Sequence, residues 1–315
     1  MSGVVGPDGL PLPDLIREAV ERDGAPSARI VAVESYRPGY LPYPARVTLE
    51  KTDGTRTTCV LKVGTAIDRI AHEARVLRAL TDLGRPVPEV LAGPLAVESQ
   101  GQQYAVLIMS ELPGQPLPWL GLTDLDTANR TGCLVQEAVD ALHAATEQVR
   151  AHPIGDLLPC VTLESELQEI NATRGPWSDV PLFREAVDLL KVALPLLATP
   201  LVFSNGDYNP LNFLHDGQSI TGWLDFEAAR FEDPYIGFAK FLLWSDDEYG
   251  WGAGAKVGLV ERYLYARNVA PSAFLPRLVL RGLTHLSGHS PEKPPHHLLD
   301  VIANAVHRLT LLYTR

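Results

Sequence analysis

A chain of 315 residues is long for one hydrophobic core, so two lobes are expected. Hydrophobic residues at 46% and charged residues at 21% are the proportions of a soluble globular protein. Asp plus Glu (38) exceeds Lys plus Arg (27), and the net charge of −11 excludes a general nucleic-acid binder, which needs basic patches against phosphates. No stretch approaches the ~18 consecutive apolar residues of a membrane span. The start, Met1-Ser-Gly-Val-Val-Gly-Pro-Asp8, lacks a basic n-region and a long apolar run. Cys59, Cys133 and Cys160 show neither metal-ligand nor disulfide spacing. Cys59 and Cys133 read as small core residues, and a reducing cytoplasm is the expected home.

Residues 1–27 read as a Gly- and Pro-rich arm with a short helix over Asp14 to Arg22. Residues 28–109 read as a β-rich lobe. Ile30 to Tyr36 and Ala45 to Lys51 alternate as strands, and Asp53-Gly54 turns the chain into a strand over Thr57 to Val63. Lys62 interrupts that apolar strand between Leu61 and Val63, which requires a task for its ammonium. Thr65 and Asp68 have capping-box spacing at the head of a helix running to about Leu80. Its apolar stripe is Ile70, Ala74, Leu77 and Leu80, and Glu73 falls on the same stripe. An unpaired buried carboxylate is costly, so Lys62 is its expected partner. Such a pair suits a lysine held against nucleotide phosphates. Tyr104 to Met109 reads as a buried strand.

Residues 110–114 read as a hinge, and 115–315 as a mainly helical lobe. Helices are expected over Cys133 to Val149, Leu182 to Leu194, Ile236 to Trp244, Gly254 to Arg267, Phe274 to Gly288 and His297 to Tyr313. The chemistry-bearing segment lies among them. Asp207 precedes Pro210, which stops helix formation. Asn212 to His215 reads as a short strand, Asp216 to Ser219 as its turn, and Ile220 to Phe226 as the returning strand. A hairpin of that kind brings Asn212 and Asp225 together. Mg²⁺ takes one or two protein oxygens plus substrate phosphates, and Asn212 with Asp225 fits that count. Asp207 would orient and deprotonate an attacking hydroxyl. Together these groups are the equipment for moving a phosphoryl group from ATP to an alcohol.

With both motifs in place, the chain resembles the aminoglycoside phosphotransferase (APH) family, relatives of the protein kinases. Asn205-Gly206-Asp207 and Asn212 match its His-Gly-Asp-x-x-x-x-Asn run except at the first position, and Asp225 matches its later Asp. The Lys62 strand and the Glu73-Ala-Arg-Val-Leu77 helix match the nucleotide-lysine and helix-glutamate segments. Met109-Ser110-Glu111-Leu112 resembles the family hinge. The resemblance spans about residues 30 to 245. It implies an α+β, bilobal protein-kinase-like fold with a small antiparallel β-sheet lobe and a larger helical lobe. It implies catalysis by Asp207, metal binding by Asn212 and Asp225, and adenine contacts from the Ser110 carbonyl and Leu112 amide. The cofactors implied are ATP, with GTP as an alternative, and Mg²⁺. The acceptor would be a small hydroxyl-bearing molecule such as an antibiotic or metabolite, with neither nucleic acid nor membrane as partner.

Three departures matter. Asn205 replaces a His that supports the loop, and Asn can donate and accept in its place. Gly237 replaces an Asp that often follows the Asp233-Pro234 turn. Tyr36-Arg-Pro-Gly-Tyr40, where the phosphate-covering loop should lie, holds one glycine and so few free backbone N–H groups. They motivate the alternative of a pseudokinase-type nucleotide-binding or scaffold protein without turnover. A metal-dependent hydrolase built on Asp225 and Glu227 would leave Lys62 and Glu73 unexplained. His285, His289, His296 and His297 lack ligand spacing, and His143 reads as a hydrogen-bonded core residue. Asp246 to Glu248 with Glu164, Glu166 and Glu169 would attract an ammonium-bearing acceptor, although a solvated charge run is the plainer reading. Trp244, Tyr249 and Trp251 would line an acceptor pocket or pack the helical lobe.

Overall fold

The computed structural model describes residues 14, 28–36, 43–99, 101–119, 122–173, 175–197, 199–244 and 252–313. The N-terminal arm apart from Asp14, the 37–40 part of the phosphate-loop segment and residues 245–251 with their acidic and aromatic side chains lie outside them. The chain divides into two compact units. One comprises the chain up to Gln115 with Gln148–Asp156 and Leu214–Ala229; the other comprises Pro116–Glu147, Leu157–Phe213 and the chain from Arg230 onward. The hairpin after Phe213 therefore clusters with the β-rich unit, although its sequence position follows the helical segments.

The first unit is built on an antiparallel sheet of β1 (Arg29–Ser35), β2 (Tyr43–Glu50), β3 (Arg56–Gly64), β4 (Val90–Ser99) and β5 (Gln102–Ser110). The strand order is β1-β2-β3-β5-β4. Period-2 alternation sends Cys59, Leu61 and Val63 of β3 into an apolar cluster with Ala45, Val47, Val97, Tyr104, Val106 and Ile108. The same alternation turns Lys62 to the opposite face. Helix α1 (Ile67–Asp82) presents Ile70, Glu73, Ala74, Val76, Leu77 and Leu80 as its buried stripe. It begins two residues later than expected, and Ala66 caps it with no side-chain bond, so the Thr65–Asp68 capping box does not form. Strand β4 escaped the sequence reading, because Gly93-Pro94 breaks the apolar run and the register shifts twice along it.

The hairpin of this unit pairs β9 (Phe213–His215) with β10 (Ile220–Trp223), and β6 (Gln115–Pro116) joins the edge of β9. Gly217 turns it at φ 99°, while Asp216 Oδ1 accepts from the N–H groups of Gln218 and Ser219. Strand β10 stops at Trp223, short of the expected Phe226, because Asp225 adopts the left-handed φ of 62°. Asn212 closes a 3-10 turn, Pro210–Asn212, instead of opening the strand.

The second unit is mainly helical: α2 (Leu125–Ala144), α3 (Thr146–Ala151, which runs past its edge), α4 (Leu163–Thr173), α5 (Pro181–Ala193), α6 (Ala239–Leu243), α7 (Gly252–Lys256), α8 (Leu259–Tyr265), α9 (Pro271–Ser287) and α10 (His296–Tyr313). Helix α2 starts eight residues before Cys133, where Asp124 accepts from the Thr127 N–H at 2.8 Å. Its core stripe runs Ala128, Val135, Ala138, Val139 and Leu142, which leaves Cys133 exposed instead of in the core. Helices α7 and α8 divide the single helix expected there, because Gly258 takes φ 60°. A small sheet, β7 (Cys160–Val161), β11 (Arg230–Glu232) and β8 (Val202–Ser204), leads into the Asn205 loop. No helix among the described residues is long and apolar enough to cross a membrane.

Candidate active site

In the first unit Lys62 meets its expected partner. Its Nζ lies 2.7 Å from Glu73 Oε2, and Lys62 and Glu73 are 7% and 2% exposed. The same ammonium reaches Asp225 Oδ1 at 2.9 Å and Glu227 Oε2 at 3.5 Å. Glu73 Oε1 accepts the Phe226 backbone N–H at 3.2 Å, so the helix carboxylate also fixes the chain beside Asp225. Burial alone would lower the lysine's pKa, but the carboxylates of Glu73, Asp225 and Glu227 outweigh it and hold the ammonium well above its usual range. Burial pushes the Glu73 carboxyl up against the pull of Lys62. One ammonium thus faces three carboxylates, whose oxygens lie within 4.8 Å of one another. Arg69, 3.7 Å from Glu227, supplies a further positive charge at the rim. Sequence reasoning found Glu227 only as a candidate hydrolase ligand and did not find its contact with Lys62. Its place two residues after Asp225, beyond a kinked backbone, was the available signal.

Ser110 and Leu112 belong to the same unit. The Ser110 N–H donates to the Glu89 carbonyl, and its Oγ accepts the Glu89 N–H, both at 2.8 Å. Leu112 packs so closely on Gly222 that a Cβ there would stand 2.7 Å from Leu112 Cδ1. Thr221 Oγ1 donates to the Pro113 carbonyl at 2.8 Å, which ties the 110–114 segment to β10. Glu111 accepts from Arg46 Nε at 3.1 Å and from the Tyr36 hydroxyl at 3.2 Å, so the segment is also tied to β2 and to the residue that follows β1.

Asp207 and Asn212 lie in the second unit. Asn205 is fully buried; its Nδ2 donates to the Asp207 carbonyl at 3.0 Å and its Oδ1 accepts the Asp207 N–H at 3.2 Å. The carboxamide therefore does both jobs expected of a loop-supporting side chain. Asn212 Nδ2 donates to the same carbonyl at 3.1 Å, so its oxygen, the only end with metal affinity, is not used in that bond. Asp207 Oδ1 accepts the Asn209 N–H at 3.2 Å and a short ion-paired bond from Lys240 Nζ. Lys240 was not foreseen: it sits on a five-residue helix and belongs to no recognised motif.

Around the loop, the Tyr208 ring occupies the space a Cβ on Gly237 would need, so a carboxylate side chain there would have to displace the ring. Tyr208 donates or accepts with His143 Nε2 at 2.8 Å. Burial pushes the His143 pKa down to about 4, so the ring is neutral near pH 7 and acts as a core hydrogen-bonding group. Asp233 accepts both Nε and Nη2 of Arg277 at 2.7 Å, with both residues 1% exposed. It also accepts the Tyr235 and Ile236 N–H groups, fixing the Asp-Pro turn. Glu166 is buried and taken up by Thr284 and Arg281, so it attracts no acceptor; Glu164 and Glu169 are exposed. Trp244 packs on His285 and His297, each at 5.4 Å between centroids.

The model of the APH phosphotransferase enzyme family matches residues 45–275. No curated protein sequence matches the chain. Among solved structures, a thermostable mutant of the aminoglycoside phosphotransferase APH(4)-Ia is 19% identical with a TM-score of 0.60, covering 93% of this chain and 96% of that one. A putative aminoglycoside phosphotransferase from Ralstonia eutropha is 16% identical with a TM-score of 0.58, covering 94% and 95%. An aminoglycoside-3'-phosphotransferase of type VIII is 19% identical with a TM-score of 0.53, covering 92% and 98%. At such identities the likeness speaks for the kinase-like fold, while the family match spans most of the chain. The chain belongs to the phosphotransferase enzyme family.

Proposed function

We propose that the protein transfers the γ-phosphoryl group of ATP to a hydroxyl of a small molecule. The observation that carries this reading is the Lys62 ammonium held at once by Glu73 and Asp225. A lysine fixed in that way is suited to steady the α- and β-phosphates, and the Ser110 carbonyl and Leu112 amide are the proposed adenine contacts. Asn212 and Asp225 are the proposed Mg²⁺ ligands. Their oxygens suit a hard cation, and the surplus of carboxylates around Lys62 favours one. Bound there, Mg²⁺ would neutralise phosphate charge. Asp207 would align the acceptor hydroxyl and take its proton as the new P–O bond forms, with most of the rate gain coming from position and electrostatics.

The comparisons support the reaction class. A complex of an APH(4)-Ia mutant contains AMP-PNP and hygromycin B, and a mutant of the aminoglycoside 2'-phosphotransferase-IIIa was solved with GDP. A hydroxylated antibiotic or metabolite is accordingly the acceptor class proposed here. The test is a screen of hydroxylated antibiotics, nucleosides, amino alcohols and sugars for Mg-ATP-dependent phosphate transfer. Asp207→Ala should cut turnover on any acceptor found by roughly 10²- to 10⁴-fold while nucleotide binding survives. Transfer by the variant at the wild-type rate would remove Asp207 from the mechanism. Nucleotide binding without transfer to any acceptor would favour a scaffold.

A further inference from the structure

We propose that Lys240 is a positioning residue for Asp207, acting on the acceptor side of the phosphoryl transfer; the proposal rests on the function assigned above. The main chain of Asp207 is already fixed. Its carbonyl takes the side-chain amides of Asn205 and Asn212, and its N–H goes to Asn205. What those bonds leave undetermined is the side-chain rotamer. Lys240 determines it: the ammonium and the Asn209 N–H both bind Oδ1. With Oδ1 taken by both, Oδ2 is the oxygen left to meet an incoming hydroxyl.

The lysine comes from a rigid base. On α6, Ala239, Phe241 and Leu243 are buried, and Phe241 contacts Trp119 edge-on at 5.4 Å. The preceding Phe238 stacks on Tyr263 at 3.8 Å and meets Tyr208, the residue after Asp207, at 5.6 Å. The Lys240 side chain is 21% exposed and the Asp207 side chain 34%, so the pair is partly screened from water yet open to a small molecule. An ordinary surface ion pair has neither this anchoring nor this shielding.

The contribution of the ammonium is orientation, because phosphoryl transfer passes through a loose transition state in which placing the hydroxyl matters more than strong deprotonation. In the step itself the acceptor O–H proton passes to Asp207 Oδ2. The acceptor oxygen bonds to the γ-phosphorus, and the bond to the departing ADP oxygen breaks. Lys240 loses nothing and remains on Oδ1.

The experiment compares wild type, Lys240→Met and Lys240→Arg in phosphate release from Mg-ATP with water as acceptor. Methionine fills a similar volume without the charge. Lys240→Met should lower kcat by roughly 10- to 100-fold with KM for ATP unchanged, the scale expected for a misplaced catalytic group. Lys240→Arg should restore most of the rate. An amine-modifying reagent read by mass spectrometry should spare Lys240 in wild type and label it in Asp207→Asn. An active wild type beside a Lys240→Met variant with unchanged kcat overturns this proposal alone. Equal labelling of Lys240 in wild type and Asp207→Asn overturns it too. A wild type that transfers phosphate neither to water nor to any acceptor of the screen sinks the functional reading and this proposal with it.

Discussion

Residue by residue, the charges are arranged as counterweights. Lys62 is buried because three carboxylates surround it, and Glu73 is buried because Lys62 answers it. Removing one member of such a set leaves the others uncompensated. Lys62→Met should therefore destabilise the fold by roughly 3–5 kcal/mol, read as a lowered urea midpoint. A wild-type midpoint would mean the carboxylates have another counter-charge. Asp225, at φ 62°, is among the few side-chain-bearing residues with positive φ, and such strain collects where geometry serves chemistry. Lys62 and Glu73 were legible because each interrupts an apolar pattern, whereas Asp207, Asn212 and Asp225 stood out only as a spaced set around a turn and hairpin, where Asp and Asn are individually ordinary. Lys240 and Arg277 were not, because a single cation on an amphipathic helix carries no signal until its partner in the fold is known.

Elements were legible where one period dominated. β3 and α1 emerged from alternation and the 3.6-residue stripe, while β4 was hidden by Gly93-Pro94 and β10 was cut short by Asp225. The hairpin's place in the first unit could not be read, because a chain order does not say which sheet or helix an insertion packs on. In the second unit the Asp233–Arg277 pair joins the Asp-Pro turn to α9. Arg277→Ala leaves Asp233 buried without its fork and should cost roughly 3–5 kcal/mol. Arg277→Lys should recover only part of this, since one ammonium cannot make both bonds. Equal stability of the three proteins in urea would show that the turn does not depend on the pair. Gly237→Asp, which would restore the residue common in the family, should destabilise by about 1–3 kcal/mol, because its Cβ collides with Tyr208.

For the whole molecule, two half-buried imidazoles contribute to the response to acid. Burial, helped by Arg267, holds His143 at about 4 against the carboxylates of Asp140, Glu232 and Asp233, and burial holds His285 at about 4 beside Arg281, Lys240 and His289. In the unfolded chain both titrate near 6.5. Between these values the unfolded state binds more protons than the folded one, so stability is retained above about pH 6.5 and lost as pH falls toward 4. Each histidine contributes up to about 3 kcal/mol of that loss. His143→Gln keeps a partner for Tyr208 without titrating, so the fall in Tm from pH 7 to 4.5 should be shallower; an unchanged slope would exclude His143 as a source.

The most direct test of the Lys62–Glu73–Asp225 cluster as a metal-nucleotide site is thermal unfolding with Mg-ATP, ATP plus chelator, and neither. Ligand at 100 times its Kd should stabilise the wild type by about 2.7 kcal/mol. The account predicts that this gain requires magnesium and disappears in Asp225→Asn. A gain of the same size with chelator present, or in Asp225→Asn, would contradict it.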